Sequence, residues 1–362
     1  MYGVYVHVPW CRYRCPYCAF VVDTRSAPDH EGWRARVLGD WAREREHFAG
    51  RPTTLSFGGG TPSRAPPAVL GAVAAAVAAT GEVSLEANPD DIDAEHLAAW
   101  RDLGVTRLSV GVQSFQPALA PRLGRAHSAR EAHRALDLAQ AAGFSSVSVD
   151  LIFGHAAQTE AELVDDIAEV ARRGLGHVSL YTLTLEPGSR FAARGEPLAD
   201  DERWAALHER AVAELEAAGL ARYELSNFAR PGHRSVHNEH YWRARAWAGL
   251  GPAAHGWRPS GVRVANADDV DAWLAGAQAV EERPDPEALL FELVWSTIRH
   301  VDGVDRERVR AATGWLPRVP GAAVAAGLVV ESPASIRLLP AGFAVSDAVA
   351  RSIVRTTLTA GV

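Results

Sequence analysis

Cys11-Arg12-Tyr13-Arg14-Cys15-Pro16-Tyr17-Cys18 holds every cysteine of the chain, in a C-x3-C-x2-C spacing directly after a β-branched run, Gly3–Val8. An odd number of thiols packed this tightly does not make a disulfide framework. Thiolates are the standard ligands of iron–sulfur clusters. Three of them on a four-iron cluster leave one iron without a protein ligand, and an open coordination position is what a catalytic metal site keeps. Zinc is the competing metal. Its sites favour paired C-x2-C knuckles with four ligands, and the sequence has no second pair, although His7 is close by. The stretch reads as a thiolate site for a cluster or metal in a reducing compartment.

Outward from the cysteines, short β-branched runs alternate with longer helical stretches. Strands are expected at Gly3–Val8, Thr53–Phe57, Glu82–Ala87, Thr106–Gly111, Ser146–Ile152 and His177–Leu183. Between them, Trp33, Val37, Trp41 and Phe48 share one helical face. Helices are expected over Pro66–Ala79, Ala94–Leu103, Arg130–Ala142 and Glu160–Arg173. The Ala-rich piece Gly71 to Thr80 strengthens the first of these, because Ala is the best helix former. Gly104, Gly143 and Gly174 stand where C-caps are needed. Six such repeats mean a parallel sheet with crossover helices. They are too few for a closed eight-fold barrel. The expected α/β fold is a partial (β/α)6 barrel, with a doubly wound sheet as the alternative. In either, chemistry gathers at the C-terminal ends of the strands.

The rhythm changes near residue 185, so residues 1–185 are read as the barrel domain. Residues 186–283 hold an amphipathic helix, Asp200–Ala218, and a polar, aromatic, His-rich stretch from Tyr223 to Trp257. Residues 284–362 have helical runs followed by a hairpin at Leu328–Leu339, which suggests a small α+β, winged-helix-like domain. With 37 basic and 44 acidic residues the net charge is −7, which argues against a nucleic-acid partner and gives the winged unit a structural role. No run of 18 apolar residues and no signal peptide is present, so a soluble cytoplasmic protein is expected.

A second motif, Ser56-Phe57-Gly58-Gly59-Gly60-Thr61-Pro62, ends the second expected strand. Consecutive glycines let backbone N–H and C=O groups approach a ligand closely. It is neither a Walker loop nor G-x-G-x-x-G, and alone it is more often a plain loop. Polar residues stand at or just beyond later strand ends: Glu86, Gln113, Arg125 and Asp150. A carboxylate there suits ribose hydroxyls or an ammonium, an amide accepts or donates, and an arginine fork suits a carboxylate. Taken singly, each is as well explained by a helix cap or a rim ion pair.

Taken together, these motifs resemble the radical S-adenosylmethionine (SAM) enzymes. The resemblance implies that Cys11, Cys15 and Cys18 hold a [4Fe–4S] cluster whose open iron chelates SAM. The cluster's electron then cleaves SAM to a 5′-deoxyadenosyl radical, the cofactor's own chemistry. Gly59, Gly60 and Thr61 match the family's GGGTP motif for the methionyl end of SAM. Glu86, Gln113, Arg125 and Asp150 are carried over as SAM contacts in the same order. Tyr5 matches the Tyr of a Y-x-H-x-P pattern near the sulfonium; His7 lies in the same pattern with its role open.

Further on, Tyr223-Glu224-Leu225-Ser226-Asn227-Phe228-Ala229 and His237-Asn238-Glu239-His240-Tyr241-Trp242 resemble the anaerobic coproporphyrinogen III oxidase family, specifically its haem-chaperone (HemW-like) branch with an H-N-x-x-Y-W signature. Asp150–Gly154, Gln158-Thr159 and Gly249–His255 fit the same pattern, although Ala254-His255-Gly256 departs from the Gly-Ala-His-Ser of many relatives. The similarity runs from Tyr5 to about Val354 and is loose in the last part. It implies haem as ligand, with His237 as axial ligand to iron and Asn238, Tyr241 and Trp242 around the porphyrin. His233, His240 and His255 are weaker ligand candidates. The competing reading of His237 is a satisfied histidine in a packed aromatic patch. The decarboxylating oxidases carry a further Cys where Phe20 stands and an N-terminal extension that contacts substrate, while this chain reaches Tyr5 almost at once. The expectation is a haem chaperone that delivers to acceptor hemoproteins, including membrane-associated respiratory proteins, and takes electrons from a donor. An oxygen-independent coproporphyrinogen III oxidase is the alternative, and whether the chain is an enzyme stays open.

Overall fold

A computed structural model describes residues 1–360; Gly361 and Val362, the end of the expected 284–362 unit, lie outside the described residues. Strands β1 (Gly3–Val8), β2 (Thr54–Gly59), β3 (Val83–Ala87), β4 (Arg107–Gln113), β5 (Ser146–Phe153) and β6 (His177–Thr182) pair in parallel in that order. Helices α1 (His30–Glu44), α2 (Pro67–Val77), α3 (Ala94–Asp102), α4 (Ala129–Ala141) and α5 (Glu160–Arg172) form the crossovers. A doubly wound sheet reverses its strand order at a switch point. Here the order is sequential throughout, which gives a singly wound partial barrel and removes the alternative.

Local signals set these elements. Helices α4 and α5 open on capping boxes, Ser128 with Glu131 and Thr159 with Glu162. Gly104, Gly143 and Gly174 take φ of +88°, +79° and +65°, as C-cap positions require. Two expectations were too long. Helix α2 stops at Val77, because Ala78 turns left-handed and Thr80 donates its N–H to Pro52 O at 2.9 Å. Phe48 lies past the end of α1 yet still packs on Tyr2, with ring centroids 4.5 Å apart.

Side chains alternate across each strand. One set, including Val4, Val6, Leu55, Phe57, Leu85, Leu108 and Val149, is fully buried in the main core. Each such side chain contributes roughly 1.5–3 kcal/mol. The other set pairs Tyr5 with Ser56, His7 with Gly58, Glu86 with Ser109, and Gly111 with Asp150 across the barrel interior. Alternation thus delivers the polar residues to one space.

Residues 186–283 do more than connect. After α6 (Arg190–Arg194) and α7 (Asp201–Ala217), β7 (Ala221–Arg222) and β8 (Asn227–Ala229) extend the β6 edge antiparallel. Past α8 (Val236–Trp242), β9 (Trp247–Leu250) adds parallel to β1. Strands β10 (His255–Trp257) and β11 (Arg263–Ala265) then run outward antiparallel, followed after α9 (Val270–Leu274) by β12 (Val280–Glu282). The result is one twelve-stranded sheet. Buried polar groups fix this extension to the barrel. Asp40 of α1 accepts from Gly251 N at 3.2 Å and Trp273 Nε1 at 3.1 Å, and Glu44 pairs with buried Arg258 at 2.9 Å.

The C-terminal unit comprises α10 (Pro286–Ile298), β13 (Val304–Asp305), α11 (Arg306–Thr313), α12 (Gly321–Ala325), β14 (Val329–Glu331), β15 (Ser335–Leu338), α13 (Pro340–Phe343) and α14 (Ser346–Thr359). Its three-stranded sheet, in the order β13-β15-β14, adds a short strand to the expected hairpin. Leu290, Val294, Ile298, Ile336 and Ile353 form a core separate from that of the barrel. Among the described residues, no helix is long and apolar enough to cross a membrane.

Candidate functional site

The cysteine loop leaves β1 and is closed by backbone bonds from Cys11 N to Asp23 O at 2.9 Å and from Asp23 N to Pro9 O at 2.7 Å. His7 ties its far side down. Its Nε2 meets the Val21 carbonyl at 2.8 Å, so Nε2 carries the proton and Nδ1 accepts from the Tyr5 hydroxyl at 3.2 Å. Burial lowers the His7 pKa, which keeps that neutral tautomer. The residue whose role was open therefore positions the loop and Tyr5.

All three cysteines open on a cavity of about 640 Å³ at the C-terminal end of the barrel. Gly59, Gly60, Thr61, Glu86, Gln113, Arg125 and Asp150 line the same cavity. Tyr5, the eighth residue expected there, stands behind this wall with its ring against Gly58. The glycines are required by contact. A Cβ on Gly59 would come within 2.5 Å of the His7 ring, and one on Gly60 within 2.6 Å of the Pro9 backbone. Gly59 also sits at φ +108°.

Cation and thiol chemistry meet at Arg125. Its Nη1 donates to Cys15 Sγ at 3.5 Å, its Nη2 donates to Gly111 O at 2.6 Å, and Nη2 also pairs with Asn88 Oδ1. The buried guanidinium thus sets a positive charge beside one of the three sulfurs. Burial pushes the Cys11 thiol up to about 11, although Thr61 Oγ1 lies 3.3 Å away. Burial also raises Cys18, whose sulfur accepts from Phe20 N at 3.4 Å. Buried thiols that resist ionising in the free protein are deprotonated on binding metal, so loading releases protons.

The interior carboxylates are deep. Burial, then the charge of Asp150, pushes Glu86 up to about 8, against one weak bond from Gly59 N at 3.3 Å. Glu86 is nonetheless solvent-accessible where it lines the cavity. Asp150 is raised by burial as well, and accepts from Ser109 Oγ at 2.9 Å. Both are primed for a positively charged or hydroxyl-bearing guest. Gln113 carries a backbone signature of its own, φ +70° at a register shift in β4. Its Oε1 and Arg125 Nε are buried without partners. Such orphaned groups fit a ligand with both donors and acceptors, as an amino acid end has.

Among the described residues, no three His, Cys, Asp or Glu side chains converge as the ligands of a single ion would. A cubane spreads its cysteines over separate irons and does not require that convergence. Three thiols on one loop, with no fourth cysteine in the sequence, fit a cubane with one uncapped iron.

Sequence reasoning missed some of the lining. Asn88 sits between Arg125 and Thr61 Oγ1, which accepts from its Nδ2 at 3.3 Å; it stood inside Leu-Glu-Ala-Asn-Pro, so a signal was present. Tyr181 and Thr182 reach the cavity from the end of β6 with no motif to announce them.

The second expected group splits. His237 is 1% exposed, with Nδ1 2.8 Å from Thr54 Oγ1 and Nε2 2.7 Å from the Tyr241 hydroxyl. Burial, then the charge of His240, lowers it to about 3. Both ring nitrogens are thus committed within the fold. The Asn238 backbone N–H bonds Ser235 Oγ. Tyr241 and Trp242 do line a cavity, of about 680 Å³, on the sheet extension. His255 joins them there. His240 is buried against Thr53 Oγ1 at 3.1 Å, and His233 fills the space over Gly176.

Comparison with known proteins gives the family. The model of the Radical SAM superfamily matches residues 5–170. The chain is 34% identical to the Heme chaperone HemW of Escherichia coli over 86% of each chain. It is 30% identical to the Heme chaperone HemW of Bacillus subtilis, over 94% of this chain and 96% of that one. Among solved structures, the coproporphyrinogen III oxidase HemN of Escherichia coli superposes with a TM-score of 0.82, covering 97% of this chain and 89% of that one at 20% identity, which is a likeness of fold. The chain belongs to the HemW family of haem chaperones within the radical SAM superfamily.

Proposed function

We propose that this chain binds haem and passes it to acceptor hemoproteins, using a barrel that holds a [4Fe–4S] cluster and SAM. The carrying observation is convergence: three thiols from one loop and seven polar or glycine positions from four other strands and loops open on one cavity. The name borne by the relatives, heme chaperone, supports the cargo.

Cys11, Cys15 and Cys18 would hold the cluster, and Gly59, Gly60, Thr61, Glu86, Gln113, Arg125 and Asp150 would hold SAM, with Tyr5 behind them. When bound, the pair supplies one-electron reduction of a sulfonium. The chain's own part is electrostatic and steric. Arg125 fixes charge beside Cys15, the Gly58–Gly60 backbone admits a ligand closely, and Glu86 gives up a proton to receive an ammonium. Residues 1–185 serve as the cofactor unit, 186–283 as the haem region and 284–362 as a structural unit. Cluster thiols call for a reducing compartment such as the cytoplasm, and an electron donor reaches the cluster there. Acceptors include membrane-associated respiratory hemoproteins. No nucleic acid is among the partners.

The test is anaerobic reconstitution followed by haem titration read by absorbance, beside an assay with reductant, SAM and coproporphyrinogen III. Uptake near one haem per chain without porphyrinogen turnover is expected. Protoporphyrinogen formed at turnover would make the chain an oxidase instead.

A further inference from the structure

The aromatic cavity is built by strand alternation. Cross-strand pairs Trp247–Trp257, His255–Ala265, Trp257–Arg263 and Arg263–Glu282 place these side chains on one face of the sheet extension. On the opposite side of the cavity, α8 supplies Trp242 and α10 supplies Phe291 and Trp295. The cavity shares no lining residue with the barrel cavity that holds the cysteines.

The ring geometry forms a corner. Trp247 meets Tyr241 at 88° and 4.9 Å between centroids, and meets Trp257 at 77° and 5.9 Å. Rings set edge-to-face leave faces open for a flat guest instead of stacking on each other. Within this corner stands the exposed His255. Its backbone carbonyl accepts from Trp247 Nε1 at 2.8 Å, which fixes the strand. Among the described residues its imidazole makes no hydrogen bond or ion pair, in contrast to the doubly bonded His237. An imidazole free at both nitrogens, in an aromatic cavity of about 680 Å³, offers the donor that a metal ion takes.

The charge at the wall points the same way. Arg263 lies over Trp257, 3.4 Å from the ring centroid, and pairs with Glu292. Its Nη1 is buried without a partner, so one donor remains for an anionic side arm. Glu282 and Glu292 offset that charge, so recognition falls to the ring and its iron, not to its carboxylates.

We propose that haem is bound in this aromatic cavity with His255 as the axial ligand to iron, and that His237 acts behind it as a positioning residue for Tyr241. This rests on the haem-chaperone reading and names its site. Because His255 is exposed, replacing it leaves the core intact, whereas His237 is buried in the fold.

The experiment titrates iron protoporphyrin IX into the reconstituted full chain, reading the Soret band and the resonance spectrum of the bound iron. His255→Ala is expected to weaken binding at least ten-fold and to lose the imidazole-ligated spectrum, with cluster content unchanged. Added imidazole restores that spectrum. His237→Gln keeps the imidazole-ligated spectrum; a loss confined to that variant would return the ligand role to His237 and overturn the proposal. If the wild type binds haem and His255→Ala binds it equally with the same spectrum, the site assignment fails while the chaperone reading stands. A wild type that takes up no haem would overturn both.

Discussion

The molecule's two large cavities are made differently. The barrel cavity is walled by strand ends and loops from six parallel repeats, and its surfaces are thiols, bare glycine backbone and buried carboxylates. The aromatic cavity lies on short antiparallel strands added at the β1 edge, and its surfaces are indole rings and one free imidazole. The first is arranged for charge and metal, the second for a flat apolar guest. Tyr241 links them: it lines the aromatic side while its hydroxyl bonds His237, and Glu86 in the barrel is near enough to raise the Tyr241 pKa further, after burial. The proposal assigns cofactor chemistry to the first cavity and cargo to the second.

The contrast can be broken most sharply at the cysteines. Replacing Cys11, Cys15 and Cys18 together by Ala should abolish the cluster, measured as iron and sulfide content, while far-UV circular dichroism and haem uptake persist. Loss of haem uptake in that variant would merge the two sites into one. The next largest effect is on stability. Arg258→Ala strands buried Glu44 without its partner, which should cost on the order of 3 kcal/mol in denaturant unfolding. The aromatic cavity should suffer first, because Arg258 bonds the extension to α1.

Smaller effects sharpen the barrel side alone. Gly59→Ala brings a methyl into the His7 ring at a positive φ, so SAM affinity by calorimetry should fall at least ten-fold with haem affinity unchanged. Glu86→Gln should also weaken SAM while stabilising the empty protein at alkaline pH. The folded carboxyl holds its proton to about 8, whereas the unfolded one releases it near 4.5, so native stability falls as pH rises across that window. Glutamine has no proton to lose, so the denaturant midpoint at pH 8 should rise relative to the wild type, by less than the full shift implies because solvent reaches Glu86.

The smallest prediction concerns acid. Burial is the first cause that holds His127, His208 and His240 near 4 and His237 near 3, against an ordinary 6.5. Unfolded chains bind these protons first, so stability is full above 6.5 and declines as pH falls toward 4. Each histidine contributes up to about 1.4 kcal/mol per pH unit in that range. Urea midpoints at pH 7 and pH 5 check this, and a midpoint independent of pH would contradict the burial of these rings.

The barrel was legible because its signals are local and repeated. Cysteine spacing, the glycine run and six alternating runs each survive without knowledge of partners. The sheet extension was not legible, since β8, β10, β11 and β12 have three residues each, too few to show a period. Burial of His237 was hidden for a related reason: an H-N-x-x-Y-W stretch displays residue types but not which side of α8 faces Thr54. Gln113 was chosen from its place after a strand, yet its left-handed backbone and the register shift beneath it are products of tertiary pairing. Asn88 stands two residues after Glu86 and still passed unassigned, because its partner Arg125 is far along the chain.

One measurement bears on the core of this account: metal and sulfide analysis of the anaerobically reconstituted full chain, with electron paramagnetic resonance of the reduced protein before and after SAM. The account predicts four irons and four sulfides per chain and a spectrum that changes when SAM binds the uncapped iron. Zinc in place of iron, or a reduced cluster whose spectrum ignores SAM, would contradict it.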